Sequence, residues 1–197
     1  MSFDILAALV LFAFVTSVTP GPNNLMLMAS GANFGFRRTV PHMLGISLGH
    51  AFMVLLVGFG IAGLFVTFPV AKTALKIVSV VYMVWLAWKI AYAAAPGEGA
   101  STGKPMTFLQ ASAFQWVNPK AWAMALGATS AYAPAGTVQT FALVAMVFAA
   151  VNLPSVAIWA RAGQELRRLL TNPSRLRGFN WTMSGLLIAS LIPVLRM

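Results

Sequence analysis

Lys120 is the residue whose type and place in this chain most demand a chemical explanation. It stands in Val117-Asn118-Pro119-Lys120-Ala121-Trp122, and no other Asp, Glu, Lys or Arg occurs from Pro105 to Ala160. An ammonium in the middle of so apolar a stretch costs at least ~2.5–3.5 kcal/mol on insertion scales, and ionisable groups at such depth are functional by default. Two chemistries suit it: a counter-charge for the carboxylate of a small ligand, or a cap for carbonyls freed where a helix breaks. A second proline segment supplies such a break, Val18-Thr19-Pro20-Gly21-Pro22-Asn23-Asn24. Superposing Pro20 on Pro119 aligns Val18 with Val117 and Leu27 with Leu126. Proline lacks the backbone donor and clashes with the preceding turn, so both segments are predicted to be broken helices. In a bilayer, unwound backbone persists only where protein or a watery cavity satisfies it. A pair of breaks at matching places in two halves points to a transporter substrate site.

The predicted substrate-binding set is therefore Thr19, Pro20, Gly21, Pro22, Asn23, Asn24, Asn118, Pro119 and Lys120. Thr19 is placed as the cap of the second half-helix, whose positive end suits a carboxylate. Asn23 and Asn24 suit an amino or side-chain group. The alternative is that the prolines merely kink helices for packing. His50 and Asn152 fall near corresponding places in the two halves and are the coupling candidates. His50 is read as the one ionisable side chain besides Lys120 within the hydrocarbon, with a proton-relay role weighed against ordinary packing. Asn152, two residues before Pro154, serves equally as glue between helices. Gly45-Ile46-Ser47-Leu48-Gly49 lets helices approach closely within one chain, and a homodimer interface is its alternative use. Met26, Met28, Met53 and Met124 are packing residues, not a metal box.

The elements that must position these groups follow from composition. The chain is 59% hydrophobic and 8% charged, with a mean hydropathy of +0.82. The runs 39–71 and 121–160 hold no Asp, Glu, Lys or Arg, and each exceeds the ~20 residues that span a bilayer. The fold class is thus an all-α integral membrane protein. Six transmembrane helices are expected at 3–33 (broken near 19–23), 40–67, 70–93, 105–132 (broken near 118–119), 137–163 and 176–196. Ala133-Pro134-Ala135-Gly136 marks the turn between the fourth and fifth. Residues 1–30 read as an uncleaved first helix, since Asp4 is their only charge and a signal peptide needs a positive start. A Gly/Pro/Ser-rich linker over 94–105 separates a first three-helix repeat (1–93) from a second (106–197). Three spans per half is an odd number, so the repeats are inverted. Nine Lys and Arg fall in loops on one side, Arg37, Arg38, Lys89 and Lys104 among them, against Lys72, Lys76 and Arg196 on the other. The positive-inside rule then puts both termini outside and the linker in the cytoplasm.

The +10 charge does not indicate nucleic acid, because the basic residues sit singly or in short clusters between apolar spans. The absence of cysteine excludes a disulfide framework. Asp4, Glu98 and Glu165 lie at span ends or in loops. No enzyme constellation, metal-ligand spacing or phosphate-binding loop appears, and neither a metal nor a cofactor is expected.

Thr19-Pro20-Gly21-Pro22-Asn23-Asn24, followed by Gly35-Phe36-Arg37-Arg38, resembles the lysine exporter (LysE/RhtB) family of bacterial amino-acid exporters. Tyr82-Met83-Val84-Trp85-Leu86-Ala87-Trp88-Lys89 and Val117-Asn118-Pro119-Lys120 after Phe108 and Phe114 extend the similarity over nearly the whole chain. The paired asparagines and the Trp-Leu-Ala-Trp-Lys run look most like the cysteine and O-acetylserine exporter branch. Many members carry Asp where this chain has Asn23, which points away from a cationic substrate and from coupling through a carboxylate there. The resemblance implies an exporter of a small zwitterionic amino acid or derivative in the bacterial inner membrane. It would work by alternating access, driven by an ion gradient, H+ being favoured over Na+. The alternatives are an oligomeric passive channel, for which the Gly45/Gly49 motif is the supporting feature, and a non-transporting membrane scaffold subunit.

Overall fold

The computed structural model describes residues 1–93, 104–133 and 135–192, and every regular element among them is helical. Most of the expected linker, Pro134 of the expected turn and the end of the sixth expected span lie outside the described residues.

The first proline segment ends one helix and starts the next. α1 (Phe3–Val18) opens with Ser2, whose hydroxyl accepts from the Ile5 N–H at 3.4 Å, and closes at Thr19, where Pro20 follows. α2 (Pro22–Phe34) begins with proline at its first position, where the missing N–H costs nothing. The two axes bend by 56° at the break. α3 (Phe36–Gly58) follows after a single residue, Gly35, whose φ of +83° is one that side chains rarely adopt. The second expected span, 40–67, therefore needs correction at both ends. Its helix starts earlier, directly after Gly35, and stops at Gly58. There Gly60 turns the chain at φ +93° into a 3-10 turn (Ile61–Gly63) and a single α-turn, α4 (Leu64–Thr67).

α5 (Pro69–Ala91) starts on a proline, and α6 (Phe108–Val117) on a capping box formed by Thr107 and Gln110. Asn118 then ends α6 and caps α7 (Pro119–Tyr132), its side chain accepting from the Lys120 N–H at 3.1 Å. α8 (Val138–Leu166) carries Pro154 within its 29 residues, and α9 (Pro173–Ala189) completes the described chain. The helices α3, α5 and α8, and the bent pair α1–α2, are long and apolar enough to cross a membrane. Large apolar side chains such as Phe3, Leu11, Val70, Val81, Leu109 and Met146 stand exposed on the outer faces, as a lipid-facing surface requires. This is an all-helical membrane protein.

α8 is the central post, packed along α1, α2 and α3, while α5 packs on α9 and α3 on α6. Its crossing with α2 is made by glycine on both sides. A methyl on Gly31 would run into the Ala160 carbonyl, and one on Gly163 into that of Met28. Gly45 and Gly49 face α6 in the same way, a methyl on Gly49 lying 2.6 Å from Cα of Ser112. The Gly-x-x-x-Gly motif is therefore used inside this chain. Three apolar clusters result. One joins α1, α3, α7 and α8 around Phe148, and one joins α2, α3, α6 and α8 around Ile46. The third joins α2, α5, α6 and α9 around Phe114.

Candidate functional site

Every carbonyl that the first break removes from helical pairing has a partner, and the partners are Thr19 itself and side chains from three other places in the chain, Asn24, Lys120 and Trp159. The Thr19 N–H reaches Val15 O, and its hydroxyl donates to Thr16 O at 3.0 Å. Asn24 Nδ2 donates to Ser17 O at 2.8 Å and to Thr19 O at 2.7 Å. Trp159 Nε1, from α8, donates to Val18 O at 3.0 Å. Lys120 Nζ, from α7, donates to Thr19 O at 2.7 Å, to the Thr19 hydroxyl at 2.9 Å and to Pro20 O at 3.4 Å. Buried backbone acceptors are seldom left alone in proteins, and in an apolar medium the cost of doing so rises. The ammonium thus bridges the second proline segment to the first.

Gly21 is explained by this bridge. Its backbone is fully extended, with φ 178°, so no left-handed conformation demands glycine. Space does: a methyl there would sit 2.8 Å from Cδ of Lys120 and 3.2 Å from its Nζ. Thr19 departs from expectation. It does not cap α2, whose N-cap is Gly21 with no side-chain bond; it closes α1 instead. The reason is direction, because the threonine hydroxyl points back to Thr16 O and accepts from Lys120. The first turn of α2 is consequently open towards the cavity beside it.

That cavity is lined by Gly21, Asn23, Asn24, His50, Asn118, Lys120 and Asn152, together with Thr16, Ser17, Gln115, Ala121, Met124 and Val156. Seven of the eleven residues proposed from sequence meet there; Thr19, Pro20, Pro22 and Pro119 frame it. Its volume is about 20 Å³, room for little more than one water molecule and far too small for an amino acid. Asn23 and Gln115 close one side as a reciprocal amide pair, 2.9 and 3.2 Å between donor and acceptor. His50 is 1% exposed, stacks edge-on to Phe148 at 5.1 Å, and neither ring nitrogen has a protein partner among the described residues.

Sequence reasoning missed three groups. Gln115 is fully buried and was legible as a lone amide in the apolar run Phe114-Gln115-Trp116. Trp159 reaches the break from 141 residues away in sequence and left no local signal. His42 also lies inside α3 and is only 2% exposed, so His50 is not the one histidine buried in the helices. No group of three His, Cys, Asp or Glu among the described residues could hold a metal ion. The Lys120 charge is met by carbonyl dipoles, since the salt bridges shown, Arg161–Glu165 and Arg168–Glu165, lie elsewhere.

An ammonium held on carbonyls at a helix break, between two amides and an open helix start, can exchange those carbonyls for a ligand carboxylate. Comparison with known proteins bears on which ligand. The profile of the family described as LysE type translocator matches residues 14–191. The chain belongs to that family. It is 33% identical over 180 residues to a cysteine/O-acetylserine efflux protein of Escherichia coli O1:K1 / APEC, a match that covers 89% of this chain and 90% of the relative. The proteins of the same name from Escherichia coli strain K12 and Shigella sonnei strain Ss046 are 32% identical over 180 residues, with the same coverage. No solved structure matches. As a LysE translocator the chain is a transporter rather than an enzyme, and its matched region contains both breaks and the cavity between them.

Proposed function

We propose that this LysE translocator exports a small zwitterionic amino acid of the cysteine and O-acetylserine kind across the bacterial inner membrane. The observation that carries the proposal is the Lys120 ammonium seated on the Thr19 carbonyl at 2.7 Å, one residue's chemistry joining both breaks. A substrate carboxylate entering the cavity competes with the carbonyls of Thr19 and Pro20 for that ammonium. Asn23, paired with Gln115 in the closed cavity, turns to the substrate's amino group or side chain. Releasing the carbonyls unties the 56° joint between α1 and α2 from α7 while Asn24 and Trp159 still hold it, so binding is coupled to movement of α7 against the joint. An uncharged acetyl or thiol side chain fits a cavity without carboxylates, and the relatives' printed names describe such substrates.

Alternating access of two inverted three-helix repeats, 1–93 and 106–197, joined by a cytoplasmic linker, supplies the movement. Support comes from the helix pairs that survive exchange of the halves, while α2 on α9, α1 on α7 and α5 on α6 break the symmetry. α3 lies on α6 as α8 lies on α1, α2 lies on α8 as α7 lies on α3, and α5 lies on α9. Both termini then face outward, as the distribution of Lys and Arg indicates. Protons drive export, with His50 and Asn152 on the cavity wall as the coupling groups.

Counterflow of O-acetyl-L-serine and L-cysteine in proteoliposomes tests the proposal. Saturable, trans-stimulated flux is expected. Flux that neither saturates nor exchanges would instead identify a channel, whose supporting glycines, Gly45 and Gly49, are occupied by α6. No flux of any amino acid, with unaltered behaviour of Lys120→Ala, would identify a scaffold.

A further inference from the structure

A second cavity lies at the other end of α2. Its volume is about 560 Å³, within the ~300–1,000 Å³ of small-molecule sites. The residues on its wall that matter here are Ser30, Asn33, His42, Lys89, Lys104 and Gln110. Most of the buried polar groups among them are already spoken for. The Ser30 hydroxyl pairs with that of Thr39 at 2.9 Å. Asn33 pairs reciprocally with Asn180 at 2.9 and 3.2 Å and donates to Ala29 O. His42 is different. It is 2% exposed, it lines the cavity, and neither of its ring nitrogens has a partner among the described residues. A buried imidazole with both nitrogens unmet is costly unless something else meets them.

Three of the four helices that line this vestibule, α2, α3 and α6, also line the central cavity, each with a polar residue at either level. α2 has Asn33 and Asn23, α3 has His42 and His50, and α6 has Gln110 and Gln115. At a rise of ~1.5 Å per residue the two levels stand roughly 8–15 Å apart. Between them lie Ile46 and Phe114, exposed by 0% and 1%, with Met26, exposed by 4%, on the vestibule wall beside them. Two polar chambers are thus separated by one apolar layer. Cations stand at the vestibule's mouth: Lys89, whose Nζ lies 4.6 Å over the Trp85 ring, and exposed Lys104. Neither is in an ion pair among the described residues.

We propose that the vestibule is a second binding site for the transported zwitterion, occupied before the apolar layer opens towards Lys120. Lys89 and Lys104 receive the carboxylate, and the His42 imidazole accepts a hydrogen bond from the ammonium. The proposal rests on the exporter reading. It adds that two substrate molecules can be held by one chain.

Binding of radiolabelled O-acetyl-L-serine to the purified full chain in nanodiscs decides it. About two molecules per chain are expected for the parent, about one for Lys120→Ala, and none for Lys120→Ala combined with His42→Leu. A second measurement does not depend on that double variant folding. In this cysteine-free chain, a cysteine at Gln110 in the Lys120→Ala background should react more slowly with a methanethiosulfonate when O-acetyl-L-serine is present. One molecule per parent chain, lost in Lys120→Ala with no protection at Gln110→Cys, overturns the vestibule site while counterflow keeps the exporter reading intact. A parent that neither binds nor exchanges the probe overturns the exporter reading and this inference with it.

Discussion

Gly21 and Lys120 act as a pair, because the lysine stem crosses the glycine with no room for a methyl between them. Alanine adopts the extended backbone of Gly21 without strain, and the atom it would displace is part of a flexible side chain. Gly21→Ala should therefore leave the thermal midpoint in detergent nearly unchanged while moving Nζ off the Thr19 carbonyl. If the same ammonium holds the substrate, apparent affinity in counterflow falls about 10–100-fold, the equivalent of one charged hydrogen bond worth ~1.5–3 kcal/mol. Unchanged affinity would detach Gly21 from the site. Lys120→Ala removes the charge outright, yet Thr19 O keeps its second donor, Asn24 Nδ2 at 2.7 Å. The break should survive that substitution, so the protein inserts and folds but binds substrate at least as weakly as Gly21→Ala. Lys120→Arg should restore binding only in part, because a planar fork does not replace a compact ammonium among three close oxygens. Parental affinity in Lys120→Ala would leave the lysine as a structural cap and nothing more.

Helix crossings set a different rule for glycine at the scale of elements. α2 and α8 touch through Gly31 and Gly163, where an added methyl meets backbone carbonyl of the other helix. Backbone cannot swing aside as the lysine stem can. Gly163→Ala should lose about 1–3 kcal/mol or more through overpacking, outweighing the ~1 kcal/mol that alanine gains in helix propensity. Gly185 in α9 is the control, since nothing lies within 4 Å of a methyl placed there. Gly185→Ala should raise the thermal midpoint slightly and Gly163→Ala should lower it. Equal shifts would mean that the α2–α8 crossing is looser than its geometry implies. The crossing matters for function because Trp159, one turn from Gly163 on α8, delivers the bond to Val18 O that holds the end of α1.

Across the whole molecule, topology and coupling are the properties at stake. Single cysteines at Asn24 and Ala121 should be labelled from water in one or both access states, because both positions line the central cavity. Cysteines at positions 37 and 102 should react only from the cytoplasm; external labelling at either would reverse the proposed orientation. For coupling, two schemes differ in what they need. A sodium site would be made of carbonyls at the breaks, and its flux would need sodium and tolerate His50→Gln. A proton relay would respond to an imposed pH gradient without sodium, and His50→Gln would uncouple it while substrate still binds. Flux that is proton-driven and fully coupled in His50→Gln would remove His50 and leave Lys120 as the titratable group on the cavity wall.

Local rules were enough to read the class of the molecule and the position of its breaks. Apolar runs longer than a bilayer make a helical membrane protein, and proline beside glycine or asparagine interrupts the helix at Pro20 and Pro119, whereas Pro41 and Pro154 are carried within α3 and α8. Hence Pro20 and Pro119, the apolar setting of Lys120, and the polar set around them were visible in the chain itself. What Lys120 touches was not. A lysine's own neighbours in sequence do not reveal which of its two chemistries applies, and only the approach of α7 to the end of α1 put its ammonium on Thr19 O and Pro20 O. Thr19 was misplaced as the cap of α2 for the same reason, since the direction of a hydroxyl depends on the bend between helices. Gln115 and Trp159 acquired their meaning from helices 92 and 141 residues distant, Gln115 from Asn23 and Trp159 from Val18. Contacts at that separation are set by how whole helices pack, and packing is decided by small residues such as Gly31, Gly45, Gly49 and Gly163, whose importance is the space they leave to another helix.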